Sequence, residues 1–188
     1  MGSSSLPNLI TAARIALSAL VFFGLAAAAG LFGPADRDAW AWASAAVLAV
    51  AALSDFVDGW LARRLGATSA FGAMLDPIAD KIAIAAAVLG LALLRPEVGV
   101  AVPGFLILFR ELFVSGLREA GGAQGVRLPV TRLAKWKTTV QLVALTLEIL
   151  AVPLPALALV ADALMWLAAG LTLWTGWGYL RAAASALR

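Results

Sequence analysis

Apolar residues run along the chain in six long blocks, separated by short stretches rich in Gly, Pro and charge. The blocks cover residues 9–31, 39–65, 71–94, 98–117, 133–150 and 156–180. A helix needs about 20 apolar residues to cross a bilayer, so each block is long enough, or nearly so, to span. The breakers between them include GPADRD, LRPEVG and EAGGAQGVRLP. No internal repeat interrupts the pattern. The expectation is one domain over residues 1–188, an all-α integral membrane protein with six transmembrane helices. Trp40 and Trp42 open the second block and Trp136 lies at the start of the fifth. Those are the positions that interfacial aromatics favour.

Composition agrees: 63% of the residues are hydrophobic and 13% charged, against about 45–50% and about 25% in soluble domains. Histidine and cysteine are absent. That excludes disulfides, thiolate metal sites, ordinary zinc chemistry and Ser-His-Asp hydrolysis. Acid–base or metal work falls to carboxylates, which suit oxygen-preferring cations such as Mg2+ or Mn2+. The net charge of +3 is scattered between apolar runs and forms no basic domain, so nucleic acid is not an expected partner.

An even number of crossings puts both termini on one side. Arg63, Arg64, Arg118, Arg127, Arg132, Lys135, Lys137, Arg181 and Arg188 share that side, and only Arg37 and Arg95 take the other. By the positive-inside rule both termini are cytoplasmic, in the cell (inner) membrane.

Against this background, residues 55–80, DFVDGWLARRLGATSAFGAMLDPIAD, concentrate four aspartates. Asp55 and Asp58 are three apart, and Gly72, Asp76 and Asp80 are each four apart. Residues at those separations share a helix face. Between Ala39 and Ser54 the second helix runs about 24 Å, and between Lys81 and Leu94 the third returns about 21 Å. Both aspartate pairs therefore fall at one depth near the cytoplasmic side. The short link predicts that these two helices are adjacent, antiparallel neighbours. Four facing carboxylates cannot all stay ionised without positive charge between them. Two divalent cations supply it and leave coordination positions for phosphate oxygens; the alternative is structural pairing with Arg63, Arg64 and Lys81. Gly59 and Gly72 leave room for a ligand to approach the backbone.

The pattern Asp55-x2-Asp58-Gly59-x2-Ala62-Arg63-x8-Gly72-x3-Asp76-x3-Asp80 fixes eight positions over twenty-six residues. It resembles the signature of the CDP-alcohol phosphotransferase family. LPNLITAARI, FRELFVSGLRE and KWKTTVQ resemble the branch whose acceptor is glycerol 3-phosphate. The resemblance implies a homodimer of six-helix subunits that moves the phosphatidyl group of CDP-diacylglycerol to glycerol 3-phosphate, releasing CMP. It implies that Asp55, Asp58 and Asp76 bind one divalent ion and Asp55, Asp76 and Asp80 a second. Asp80 would also be the general base. Asn8, Thr11, Gly59, Arg63, Ser69 and Gly72 would hold CDP-diacylglycerol.

The acceptor phosphate needs cations, and Arg110, Arg118, Arg132, Lys135 and Lys137 are the candidates. Topology alone accounts for several basic residues near the cytoplasm, but less well for Arg110, which lies deeper and beside Glu111. Glu148 and Asp162 fall toward the outer side, where packing or exposure is expected. The run AIAAAVLG in the third block suggests a close helix contact and a candidate dimer face. Two other readings compete: a sister transferase with inositol phosphate or phosphatidylglycerol as acceptor, and a divalent-cation transporter. The transporter lacks polar residues continuing across the bilayer and the broken or repeated helices common in such proteins.

Overall fold

The computed structural model describes residues 5–65, 70–123, 125 and 132–186. Side chains at 5–10, 55–65, 70, 71, 73, 132–135 and 186 lie outside that description. Six long helices follow the six apolar blocks: α1 (Ser5–Ala28), α2 (Arg37–Leu65), α3 (Ala70–Leu94), α4 (Val98–Ala123), α5 (Arg132–Leu150) and α6 (Ala158–Ala186). A short 3-10 turn, Pro155–Leu157, leads into α6. No strand occurs among the described residues.

The helix ends follow local chemistry. After α1, Gly30 takes φ 80°; its N–H donates to the Ala27 carbonyl at 2.9 Å, and that of Leu31 donates to Ala26 at 3.0 Å. This is a Schellman ending, in which a glycine accepts the left-handed conformation and the last carbonyls are satisfied. Asp36 caps the start of α2, where its Oδ1 accepts from the Ala39 N–H at 3.0 Å.

Four stretches among the described residues are long and apolar enough to cross a membrane: Thr11–Ala28, Met74–Leu94, Val98–Ala123 and Pro155–Ser185. They mark the chain as an integral membrane protein. α2 and α5 form as expected but are not among these four. The described part of α2 opens on Arg37 and Asp38, and α5 buries Lys137, Gln141 and Glu148.

Packing departs from the sequence expectation in one respect. Along the described residues α1 lies against both α2 and α3, and these two touch each other little. A short link holds two helix ends together; it does not stop a third helix from entering between them. Thr11 meets Asp76, Arg14 meets Asp80, and Leu25 meets Gly90 at nearly constant sequence separation. α1 and α3 therefore run parallel and in register. α6 packs on α4 and α5, while α2 meets α5 and α3 meets α4 to join the two halves.

The buried stripe of α1 is Thr11, Arg14, Ser18, Val21, Leu25 and Ala28, the spacing of one helix face. It is polar at the end that carries the aspartates and apolar beyond. The apolar part continues into a core that includes Leu48, Leu91, Ile107, Leu145 and Met165. The run AIAAAVLG is used within the chain: Ala83, Ile84, Ala87 and Val88 are buried, and Val88 packs against Gly104. These small residues serve contacts within the chain, while Leu89 of the same run is 52% exposed.

At the end of the bundle away from the aspartates, Arg95 pairs with Glu148 at 2.5 Å and with Asp162 at 3.8 Å. Glu148 is fully buried rather than exposed. Arg37 donates to the Leu94 carbonyl at 3.0 Å.

Gly90 sets how closely α1 approaches α3. A Cβ there would lie 2.6 Å from Leu25 Cδ1 and 2.8 Å from Leu25 Cβ. The second atom cannot swing aside, so the helices must part. Gly90→Ala is expected to lower stability by about 1–3 kcal/mol through overpacking, outweighing the gain of about 1 kcal/mol from helix propensity. A Cβ at Gly170 would meet nothing within 4 Å, so Gly170→Ala should keep that gain. Thermal unfolding in detergent checks both; equal melting temperatures for the two variants would remove the claim about α1 and α3.

Candidate active site

Asp76 and Asp80 sit one turn apart on α3, and a residue of α1 that the aspartate pattern does not point to joins them. Arg14 Nη2 donates to Asp76 Oδ1 and Nη1 to Asp80 Oδ1, both at 3.0 Å. The Thr11 hydroxyl donates to the same Asp76 oxygen at 3.0 Å. Thr11 and Arg14 are neighbours on one face of α1, and the parallel register of α1 on α3 delivers both to the aspartate stripe. The Arg14 side chain is 4% exposed, whereas those of Asp76 and Asp80 are 54% and 41% exposed. The guanidinium is thus buried, while the two carboxylates keep about half of their surface exposed.

Gly72, one turn before Asp76, is buried on the same helix. Lys81, considered as a possible partner of the aspartates, donates to the Pro77 carbonyl at 2.9 Å. Pro77 lies between the two aspartates within α3; its ring removes one backbone donor from the helix. Asp55, Asp58, Gly59 and Arg63 fall on α2, and Asn8 on the first turns of α1. The side chains of these five lie outside the described residues, as does Ser69 altogether.

The donor set suits a hard divalent cation. Asp76 and Asp80 offer half-exposed carboxylate oxygens, with no histidine or cysteine in the chain to select a softer metal. Arg14 is already among these oxygens. Any added cation shares them with a fixed positive charge.

A second polar cluster joins α4, α5 and α6. Glu111 Oε1 accepts from Lys137 Nζ, from Arg110 Nη1 at 3.3 Å and from Gln141 Nε2 at 3.2 Å. Arg110 Nη2 donates to Thr175 Oγ1 at 3.0 Å, and Gln141 Nε2 to Thr172 Oγ1 at 2.8 Å. The Arg110 guanidinium also stands 5.6 Å from the Tyr179 ring centre, a cation–π distance. Gly176 makes room for it, since a Cβ there would come within 2.9 Å of Arg110 Cγ. Arg110, Glu111, Lys137 and Gln141 are all buried.

Of the five cations expected to meet an acceptor phosphate, Arg110 and Lys137 are thus brought together, but on an internal carboxylate. Arg118 is exposed two turns further along α4. Arg132 and Lys135 lie on α5, with side chains outside the described residues. Glu111 and Arg14 had a signal in the sequence: each is a charge inside an apolar block, where an unpaired charge is too costly to keep.

Removing the Glu111 charge leaves two buried cations facing each other. Glu111→Gln should therefore destabilise the protein by about 3–5 kcal/mol, the cost of breaking a buried ion pair from one side. Adding Lys137→Met to that variant removes one of the stranded charges and should recover part of the loss. Unfolding midpoints of the two variants check this. A Glu111→Gln midpoint equal to that of the unmodified protein would mean that water already screens the cluster.

Comparison with known proteins identifies the family. A family profile described as CDP-alcohol phosphatidyltransferase matches residues 4–174. The chain is 37% identical to a CDP-diacylglycerol–glycerol-3-phosphate 3-phosphatidyltransferase of Cereibacter sphaeroides, covering 95% of each chain. It is 39% identical to the enzyme of the same name from Pseudomonas fluorescens, over 95% of this chain and 90% of that one. Its fold is similar to the crystal structure of Mycobacterium tuberculosis phosphatidylinositol phosphate synthase with CDP-DAG bound. That match has a TM-score of 0.63 at 21% identity and covers 97% of this chain and 86% of the other. A related crystal structure of that synthase, in complex with manganese and citrate, aligns with a TM-score of 0.62. With a profile match across most of its length and relatives this similar end to end, the chain belongs to the CDP-alcohol phosphatidyltransferase family.

Proposed function

We propose that the protein transfers the phosphatidyl group of CDP-diacylglycerol to glycerol 3-phosphate, giving phosphatidylglycerophosphate and CMP. The observation that carries this reading is the pair Asp76 and Asp80, half-exposed at one end of a membrane bundle and held from behind by Arg14. The names of the full-length relatives support the two substrates.

All six helices cross the membrane in this proposal. The aspartate end faces the cytoplasm, and the working unit is a homodimer in the cell membrane. The charge asymmetry supports the orientation: Arg118, Arg132, Lys135 and Lys137 belong to the aspartate end, Arg37 and Arg95 to the other.

Asp55, Asp58, Asp76 and Asp80 are the ligands of two divalent ions, Mg2+ or Mn2+. When bound, these ions supply charge neutralisation at the diphosphate and at the leaving phosphate. Asn8, Thr11, Gly59, Arg63, Ser69 and Gly72 hold the cytidine diphosphate group. Asp80 accepts the proton of an acceptor hydroxyl, and its half-exposed carboxylate is open to a water-soluble substrate. The hydroxyl oxygen forms a bond to the lipid-side phosphorus as the bond to the CMP oxygen breaks. A carboxylate is a weak base for an alcohol, and it suffices where the transition state is loose. With no cysteine or histidine nucleophile, direct displacement is the simpler course.

Arg118, Lys135 and Arg132 bind the acceptor phosphate. Arg110 and Lys137 are paired with Glu111, which cancels one of their two charges. Together they present a single net positive charge to that phosphate.

The metal ligands are tested by Asp55→Asn and Asp76→Asn, which should abolish CMP release in CDP-diacylglycerol micelles while the protein stays folded. Asp80→Asn should lower turnover about 10²-fold or more, as loss of a general base does, with the donor still bound. Near-normal turnover by Asp76→Asn at ordinary magnesium would sink the two-ion proposal. CMP release with inositol phosphate or phosphatidylglycerol in place of glycerol 3-phosphate would reassign the acceptor.

For the acceptor site, a charge-assisted contact to phosphate is worth about 1.5–3 kcal/mol. Arg118→Ala or Lys135→Ala should therefore raise the KM for glycerol 3-phosphate about 10- to 100-fold and leave that for CDP-diacylglycerol nearly unchanged. Arg37→Ala removes a charge from the opposite end and is the control. Equal loss of acceptor affinity in all three variants would reduce the cluster to a general surface charge.

A further inference from the structure

Arg14 puts a permanent cation among carboxylates that the proposed chemistry assigns to metal ions. An arginine side chain does not deprotonate in a protein, so this charge is present in every state of the site. Its two donors take one oxygen from each of Asp76 and Asp80. Thr11 fixes which Asp76 oxygen is taken, by donating to it as well. The guanidinium is buried, and its carboxylate partners are about half exposed. Geometry of this kind holds the carboxylates in place and at the same time weakens their pull on any further cation.

We infer that Arg14 is a positioning residue that competes with divalent ions for Asp76 and Asp80, so that the ions bind tightly only when a diphosphate is present. This rests on the metal reading of the aspartates given above. The linkage is electrostatic. The donor's diphosphate carries negative charge that offsets the repulsion between Arg14 and the ions. By reciprocity, the nucleotide raises ion affinity by the factor by which the ion raises nucleotide affinity. Without the donor, the site stays largely in its Arg14-bound form.

A purely structural brace predicts the opposite sign. If Arg14 only held Asp76 and Asp80 in position, its loss would disorder them and weaken ion binding. If it competes, its loss strengthens ion binding in the absence of nucleotide. A neighbouring cation changes a carboxylate's affinity for a proton by roughly 10- to 1000-fold, and a divalent ion seeks the same oxygens.

The test uses the full chain in detergent, with free Mn2+ followed by electron paramagnetic resonance, with and without CDP as a soluble diphosphate. Arg14→Gln should bind Mn2+ without CDP about tenfold or more tightly than the unmodified protein. Arg14→Lys, which keeps the charge, should stay close to the unmodified protein. CDP should tighten Mn2+ binding strongly in the unmodified protein and in Arg14→Lys, and much less in Arg14→Gln. Helical circular dichroism confirms that each variant is folded. Weaker or unchanged Mn2+ binding by folded Arg14→Gln would overturn the inference. So would an unmodified protein whose Mn2+ affinity does not respond to CDP, a measurement that needs no variant. Failure of every protein to bind Mn2+ even with CDP would instead overturn the metal reading itself, and this inference with it.

Discussion

Charge buried inside an apolar bundle must find its counter-charge within the protein, because neither lipid nor the packed core can solvate it. The clusters in this structure answer that constraint at different levels. Arg14 meets Asp76 and Asp80 where α1 lies on α3. Glu111 meets Arg110 and Lys137 where α4, α5 and α6 converge. Arg95 meets Glu148 and Asp162 at the far end. Each cluster ties helices from different parts of the chain, with apolar packing of Leu25, Leu91, Ile107, Leu145 and Met165 between the ends. Sliding one helix by a turn, about 5.4 Å, would separate these charges. Apolar contacts alone are far more forgiving of such a shift. The ion pairs therefore fix register, and register is what sets Thr11 and Arg14 of α1 beside the two aspartates of α3.

The helices were legible in the sequence because the signal for each is local: a long apolar run ended by a breaker such as GPADRD or LRPEVG. The aspartate stripe was legible for the same reason, since a spacing of four along α3 needs no knowledge of any other helix. Neighbour relations were not. α1 lies between α2 and α3 through close approaches such as Leu25 on Gly90, a property of two helices together that neither sequence displays. Arg14 stood in the stretch LPNLITAARI, yet its partners follow from the parallel register of α1 and α3. Arg110 and Lys137 were expected to face an acceptor phosphate, and the carboxylate they meet belongs to the residue next to Arg110. Adjacent residues on a helix usually diverge; here the length of the arginine side chain lets it fold back over Gly176 and reach Glu111.

The two polar clusters toward the aspartate end differ in what they leave open. Glu111, Arg110, Lys137 and Gln141 are buried and bonded to one another, so that cluster fixes the relation of α4, α5 and α6. Asp76 and Asp80 are bonded to Arg14 yet keep about half of their side-chain surface exposed, so theirs is the candidate site. The buried face of α1 shows why the site sits at this depth. From Ala28 to Val21 the face is apolar, and from Ser18 to Thr11 it is polar. A lipid donor keeps its acyl chains at the apolar level, and a charged acceptor cannot go below the polar one. In the proposed reaction their reacting groups meet near that change of character, and Arg14 holds Asp76 and Asp80 one turn to its polar side.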